Sequence, residues 1–287
     1  MGKITMVYPQ KYQVGDAEIK FNELPTEIIP LAFATLDGKP SEQYEAGKSY
    51  VAASLITQDP NQYDYVFKRL TELYGGPLVK PASLRKKRRL KFLRKIVEIF
   101  IKMKSEPAGF PLNTCIINGF ENSLNPRQVL DLYRASSEMQ KKISIAEITD
   151  RHVNFRDGQW FESITHEQFG GIYFWTLIVK NIDEHITSKV GRPIPWCLLA
   201  DNLPCDPSGR RMTILFAMLE EMFDSRLTLM FTKLDDGEAD IPVDLLTDIY
   251  TSIAYEVYSP EGSNDSALNE AFRVFDNSAL AHDVVLI

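Results

Sequence analysis

The 287 residues suffice for one large domain or two small ones, and 44% hydrophobic with 25% charged residues is ordinary for a globular protein. No apolar run of about 18 residues occurs, so no transmembrane helix is expected, and the N-terminus lacks the apolar core of a secretory signal. The net charge of −7 is unevenly spread: eleven of the 32 Lys/Arg fall between Lys80 and Lys104, with Glu98 the one acid among them. A basic segment on an otherwise acidic chain suggests an acidic partner.

The three cysteines, Cys115, Cys197 and Cys205, lack CxxC spacing. Their odd number argues against a disulfide framework and a zinc site. They read as reduced thiols of a cytoplasmic protein. The four histidines show no metal-ligand spacing and take no role.

In chain order, residues 1–27 have no clear period and read as an irregular arm. Ile28 to Asp37 reads as a mostly buried strand and Lys48 to Thr57 as the next, joined as a long-looped antiparallel hairpin. A helix follows from Asp59-Pro60-Asn61 to about Tyr74, where Gly75-Gly76-Pro77 stops it. The basic segment predicts a helix from Ser83 to Lys104 with an apolar stripe of Leu90, Leu93, Val97, Phe100 and Ile101. Pro111 to Gly119 reads as a third strand. One helix is expected from Asn125-Pro126 to Lys142, a short strand over Ile143 to Ile148, and a loop over 150–164 that turns at Asp157-Gly158. His166 to Lys189 reads as a long apolar helix.

The next stretch, Ile194 to Pro204, is an apolar run between prolines that carries Asp201 at its end. A helix to about Asp224, a strand over Leu227 to Lys233 and a helix over Ile241 to Tyr258 complete the pattern. Residues 259–287 form a C-terminal extension with a short helix and an apolar tail, suited to pack on the body or on a second copy. Early strands followed by alternating strands and helices predict an α/β fold: a mixed β-sheet with helices on both faces. The domain is expected over 28–258, with a basic helical insertion at 80–104.

Three apolar elements carry carboxylates at or near their ends: Asp37, Asp201, and Asp244 with Asp248. A carboxylate at the end of a buried strand needs a cation, a helix N-terminus or a metal. If the three elements meet, the cluster suits Mg²⁺ or Mn²⁺, which take oxygen ligands. The plainer alternative is that Asp37 begins a turn, Asp201 caps a loop and Asp244 caps the last helix.

Leu36-Asp37-Gly38, Leu199-Ala200-Asp201 and Asp244-Leu245-Leu246-Thr247-Asp248-Ile249 resemble an uncharacterised bacterial and phage family with a ribonuclease H-like fold. Its members carry an Asp-Glu-Ser-Gly strand end, a central strand ending in Asp and a late Gln-Leu-Ala-Asp-Leu helix. Here Gly38-Lys39 replaces the Glu-Ser, and Leu245 stands for the Gln. The resemblance implies a nuclease site in which Asp37, Asp201 and Asp248 are catalytic and, with Asp244 as a fourth ligand, hold two divalent ions about 4 Å apart. Loss of the Glu-Ser also fits a degenerate relative that binds without cutting.

In the basic helix, Arg85, Lys86, Lys87, Arg88, Arg89, Lys91, Arg94 and Lys95 are candidates for nucleic-acid phosphates. The plainer reading is a solvated face. The functional expectation is a metal-dependent nucleic-acid phosphodiesterase or an inactive nucleic-acid-binding relative. The alternative is a non-catalytic interaction module or accessory subunit of a bacterial or phage complex. No GxxxxGK[ST], GxGxxG, GxSxG or HExxH pattern occurs.

Overall fold

Two faces of one β-sheet divide most of the apolar residues of this chain. The computed structural model describes residues 5–7, 30–39, 49–120, 124–157, 160–200, 204–205, 211–223, 226–231, 242–276 and 282–285. The central strands are β2 (Ala32–Lys39), β3 (Ser49–Thr57), β4 (Asn113–Phe120), β8 (Trp196–Ala200) and β9 (Leu227–Phe231). Edge strands β1 (Thr5–Val7) and β10 (His282–Val285) complete a mixed sheet of order β1-β9-β8-β2-β3-β4-β10. Strand β3 runs antiparallel to both its neighbours, β2 and β4, whereas β8 is parallel to both β2 and β9. The fold is α/β, a mixed sheet with helices on both faces, as the sequence leads one to expect.

Strand alternation sorts the side chains. Ala32, Ala34 and Leu36 of β2, with Trp196, Leu198 and Ala200 of β8, join one core. It is covered by α3 (Pro126–Ala135), α4 (Ser137–Lys142), α5 (His166–Val190) and α6 (Arg211–Phe223). Phe33 of β2, Val51, Ala53 and Leu55 of β3, and Cys197 and Leu199 of β8 face the other core. There lie α1 (Asn61–Tyr74), α2 (Lys86–Ser105), α7 (Pro242–Tyr258) and α8 (Ser266–Phe275). Every residue of β8 is buried, as suits a parallel strand covered on both faces. Helix ends follow local chemistry: Thr165 and Gln168 form a capping box at the start of α5, and Gly191, with φ 81°, ends it in the left-handed region.

Three sequence expectations change. The helix over 125–142 is two helices, α3 and α4, broken where Ser136 leaves helical geometry and caps α4 through Met139 N–H. The loop over 150–164 is a hairpin of β6 (His152–Asp157) and β7 (Trp160–Thr165), which joins β5 (Ser144–Ile148) in a small antiparallel sheet. Val153, Phe155 and Ile164 are fully buried there, an alternation too short to read beside polar neighbours. In the arm over 1–27, Thr5–Val7 is an edge strand on β9. In the C-terminal tail, His282–Val285 pairs with β4 of the same chain, so this part of the tail packs on the body, one of the two placements expected for it. Asp201, Asp206–Gly209 and the turn at Asp235–Gly237 lie outside the described residues.

All three cysteines are buried and none is in a disulfide. Burial, with a smaller contribution from Asp276, pushes the Cys115 thiol up to about 12, and burial raises that of Cys197 further. Among the described residues no helix is long and apolar enough to cross a membrane.

Candidate functional site

The alternation that sends Phe33 toward α7 places Asp37 and Lys39 on that same face of β2. Asp248 faces them from the second turn of α7. The Lys39 ammonium donates to Asp248 Oδ1 at 2.6 Å and lies 3.8 Å from Asp37 Oδ2. The two carboxylates are therefore no farther apart than the sum of these distances. The other oxygen of Asp37 accepts a 2.7 Å hydrogen bond from Gly38 N–H. Asp248 Oδ2 is buried and accepts no hydrogen bond among the described residues. The side chains of Lys39, Asp37 and Asp248 are only 19%, 20% and 14% exposed, so water screens their attraction weakly.

Sequence reading misses Lys39, though a signal is present: a residue two positions after Asp37 on a strand shares its face. Its neighbour Gly38 also has a structural reason. A β-carbon there would lie 1.6 Å from the Tyr50 hydroxyl oxygen, whose ring packs edge-on against Phe174. Tyr50 thus fills the space into which a longer residue at 38 would project.

Asp244 lies in the first turn of α7, where the helix dipole favours a carboxylate. Ala200, the last described residue of β8, pairs with Leu36, one residue before Asp37; Asp201 itself lies outside the described residues. Among the described residues no three His, Cys, Asp or Glu side chains are grouped to hold a metal, so Asp37, Asp244 and Asp248 make no such site by themselves. The two carboxylates that do meet already share an ammonium. Asp37 and Asp248 are thus two of the expected ligands brought together, while Asp201, the third, lies outside the described residues.

The basic helix splits into two sets. Arg89 Nη2 bonds Glu256 Oε1 of α7 at 2.6 Å, where the Glu256 side chain is 3% exposed. Arg94 binds Asp265, the N-cap of α8, through both Nε and Nη2. Lys95 donates to the Tyr74 carbonyl at 2.8 Å and sits 4.2 Å from the centre of its ring. These three cations tie α2 to its neighbours. Arg85, Lys86, Lys87, Arg88 and Lys91 are exposed, and their side chains have no partner among the described residues. Glu256 stands eight residues beyond Asp248 on α7, so the start of α2 is about 12 Å from the carboxylate pair along that helix. A cleft of about 490 Å³, lined by Ala32, Thr57, Asp59, Asn113, His185 and Lys189, takes in none of these residues.

The Arg94 contact makes a pH prediction. The Arg94 guanidinium is the main cause that holds the Asp265 carboxyl below its usual range. A folded value below the unfolded one, about 3.9, stabilises the fold above that value, and the contribution is lost as pH falls through the folded one. Wild type is therefore expected to lose more stability between pH 5 and pH 3 than Arg94→Gln, measured by denaturant melts. Parallel acid limbs for the two proteins would refute this role.

No protein-family model and no curated protein matches the sequence. Solved structures align over most of its length at low similarity. One is the PCNA:RNase HII complex from Archaeoglobus fulgidus, with 12% identity, a TM-score of 0.31, and 86% of this chain and 90% of that chain covered. Another is Bst-RNase HIII in complex with Mn²⁺, with 10% identity, a TM-score of 0.33, and 88% of this chain but 64% of that chain covered. Likeness of this degree adds nothing about the site, whose reading rests on the geometry above.

Proposed function

We propose that this protein binds nucleic acid through the start of α2 and does not use metal-dependent cleavage at the Asp37–Asp248 centre. The observation that carries the reading is the set of five exposed cations without partners among the described residues, Arg85, Lys86, Lys87, Arg88 and Lys91, on a chain with net charge −7. Cations held by internal ion pairs have little left for phosphates; these five have their whole charge available. Phosphate contacts of this kind supply affinity without base specificity. The hydrolytic reading, with Asp37, Asp201 and Asp248 holding Mg²⁺ or Mn²⁺ and Asp244 as a fourth ligand, needs Asp201, which lies outside the described residues. Its two adjacent carboxylates bind Lys39 instead.

The test is fluorescence anisotropy with labelled single- and double-stranded DNA and RNA across a salt series. Five phosphate contacts give a slope of about −4 in log K against log salt. Arg85→Glu, Lys86→Glu, Lys87→Glu and Arg88→Glu combined should weaken binding by more than about 100-fold. Arg134→Glu, an exposed change on α3 across the sheet, should leave it within about twofold. Affinity that survives the fourfold reversal would sink the proposal, and so would a flat salt dependence. Binding to an acidic protein with no binding to any nucleic acid would favour the interaction-module reading.

A further inference from the structure

Lys39 already places a positive charge between the carboxylates of Asp37 and Asp248. A hard cation binds carboxylate oxygens at about 2.0–2.6 Å. The Lys39 ammonium, 2.6 Å from Asp248 Oδ1 and 3.8 Å from Asp37 Oδ2, already supplies positive charge to both and would repel a second cation there. We propose that Lys39 is the resident cation of the Asp37–Asp248 centre, clamping the end of β2 to α7 and making the centre independent of divalent metal.

Three features support this. First, the contact joins residues 209 apart in sequence, so it closes the tertiary structure rather than a local turn. Second, lysine suits this position because its ammonium is a compact point charge with three donors, able to serve oxygens from two directions. Third, the strand delivers it from the correct side. Lys39 pairs with Val51 and Asp37 with Ala53 in the β2–β3 ladder, which holds both side chains on the α7 face. The proposal is independent of the reading of α2: it holds whether or not that helix meets nucleic acid.

The experiment uses the full chain in five forms: wild type, Asp248→Asn, Lys39→Met, Lys39→Arg and Lys39→Met/Asp248→Asn. Mn²⁺ binding is read by isothermal titration calorimetry and by the Mn²⁺ electron paramagnetic resonance signal, and thermal melts are run in Mn²⁺ and in chelator. Wild type and Lys39→Arg should show no saturable Mn²⁺ binding at sub-millimolar concentrations and the same melting temperature in both solutions. Lys39→Met should melt lower in chelator, bind Mn²⁺ at least tenfold more tightly than wild type and regain melting temperature in Mn²⁺. The double variant should lose that gain.

Two results overturn the proposal. One is a wild-type protein with saturable Mn²⁺ binding that Asp248→Asn abolishes, a measurement that stands even where Lys39→Met does not fold. The other is a folded Lys39→Met that gains no Mn²⁺ affinity, which would make the lysine a simple ion-pair partner.

Discussion

Replacing Asp183 by alanine is expected to destabilise the protein by about 3 kcal/mol and to lower its melting temperature by roughly 5–10 °C. Asp183 lies on α5 and is buried. One of its oxygens accepts hydrogen bonds from Trp196 Nε1 and Arg226 Nη1, each at 2.8 Å, and the other accepts from Arg226 Nη2 at 3.1 Å. Alanine leaves the fully buried indole N–H without an acceptor and the guanidinium without its carboxylate. Loss of one partner from a buried ion pair costs about 3–5 kcal/mol, and the lower figure applies because the Arg226 side chain is 29% exposed. Trp196 opens β8 and Arg226 immediately precedes β9, so this one carboxylate anchors β8 and its parallel neighbour β9. Asp183→Asn keeps an acceptor and should cost less. Equal urea midpoints for wild type and Asp183→Ala would show the network to be energetically idle.

Phe100→Ala is expected to cost about 3–5 kcal/mol, or on the order of 10 °C in melting temperature. The ring is fully buried and stacks on Phe275 of α8 at 5.1 Å, with Phe110 meeting both rings edge-on at 5.2 and 5.0 Å. Removing it opens a cavity between α2 and α8 that the neighbouring rings cannot close without leaving their rotamers. Its distance from function is also predicted. Phe100 lies twelve residues from Arg88, about 18 Å along the helix, so the folded variant should bind nucleic acid with wild-type affinity. Calorimetry combined with anisotropy separates the two effects. A stable variant with weakened binding would invert this assignment.

Much of this fold is legible in the chain because periodicity records burial. The apolar stripe of α2 can be read at Leu93, Val97 and Phe100, and the structure widens it to include Phe92, Ile96, Ile99 and Met103. It is wider because α2 packs against α1, α7 and α8, not along a single seam. The hairpin over 152–165 escapes such reading because its buried positions, Val153, Phe155 and Ile164, alternate with polar residues over only six-residue strands. The helix split at Ser136 escapes it because both halves keep helical composition, and the break shows itself only through a side-chain cap.

The candidate site divides along the same physical line. Residue order alone sets the chemistry available: a basic run on an acidic chain, carboxylates at element ends, and Gly38-Lys39 after Asp37. Which charges meet is decided in three dimensions. Arg89 and Arg94 look no different from Arg85 and Arg88 in the sequence, yet the first two face Glu256 and Asp265, whose places depend on how α7 and α8 pack. Lys39 shares a face with Asp37 by strand geometry alone, but its bond to Asp248 spans 209 residues. Local spacing sets the face a side chain takes. Its partner across the fold is set by packing of the whole sheet and its helices, a sum over many weak contacts that no short stretch of sequence contains.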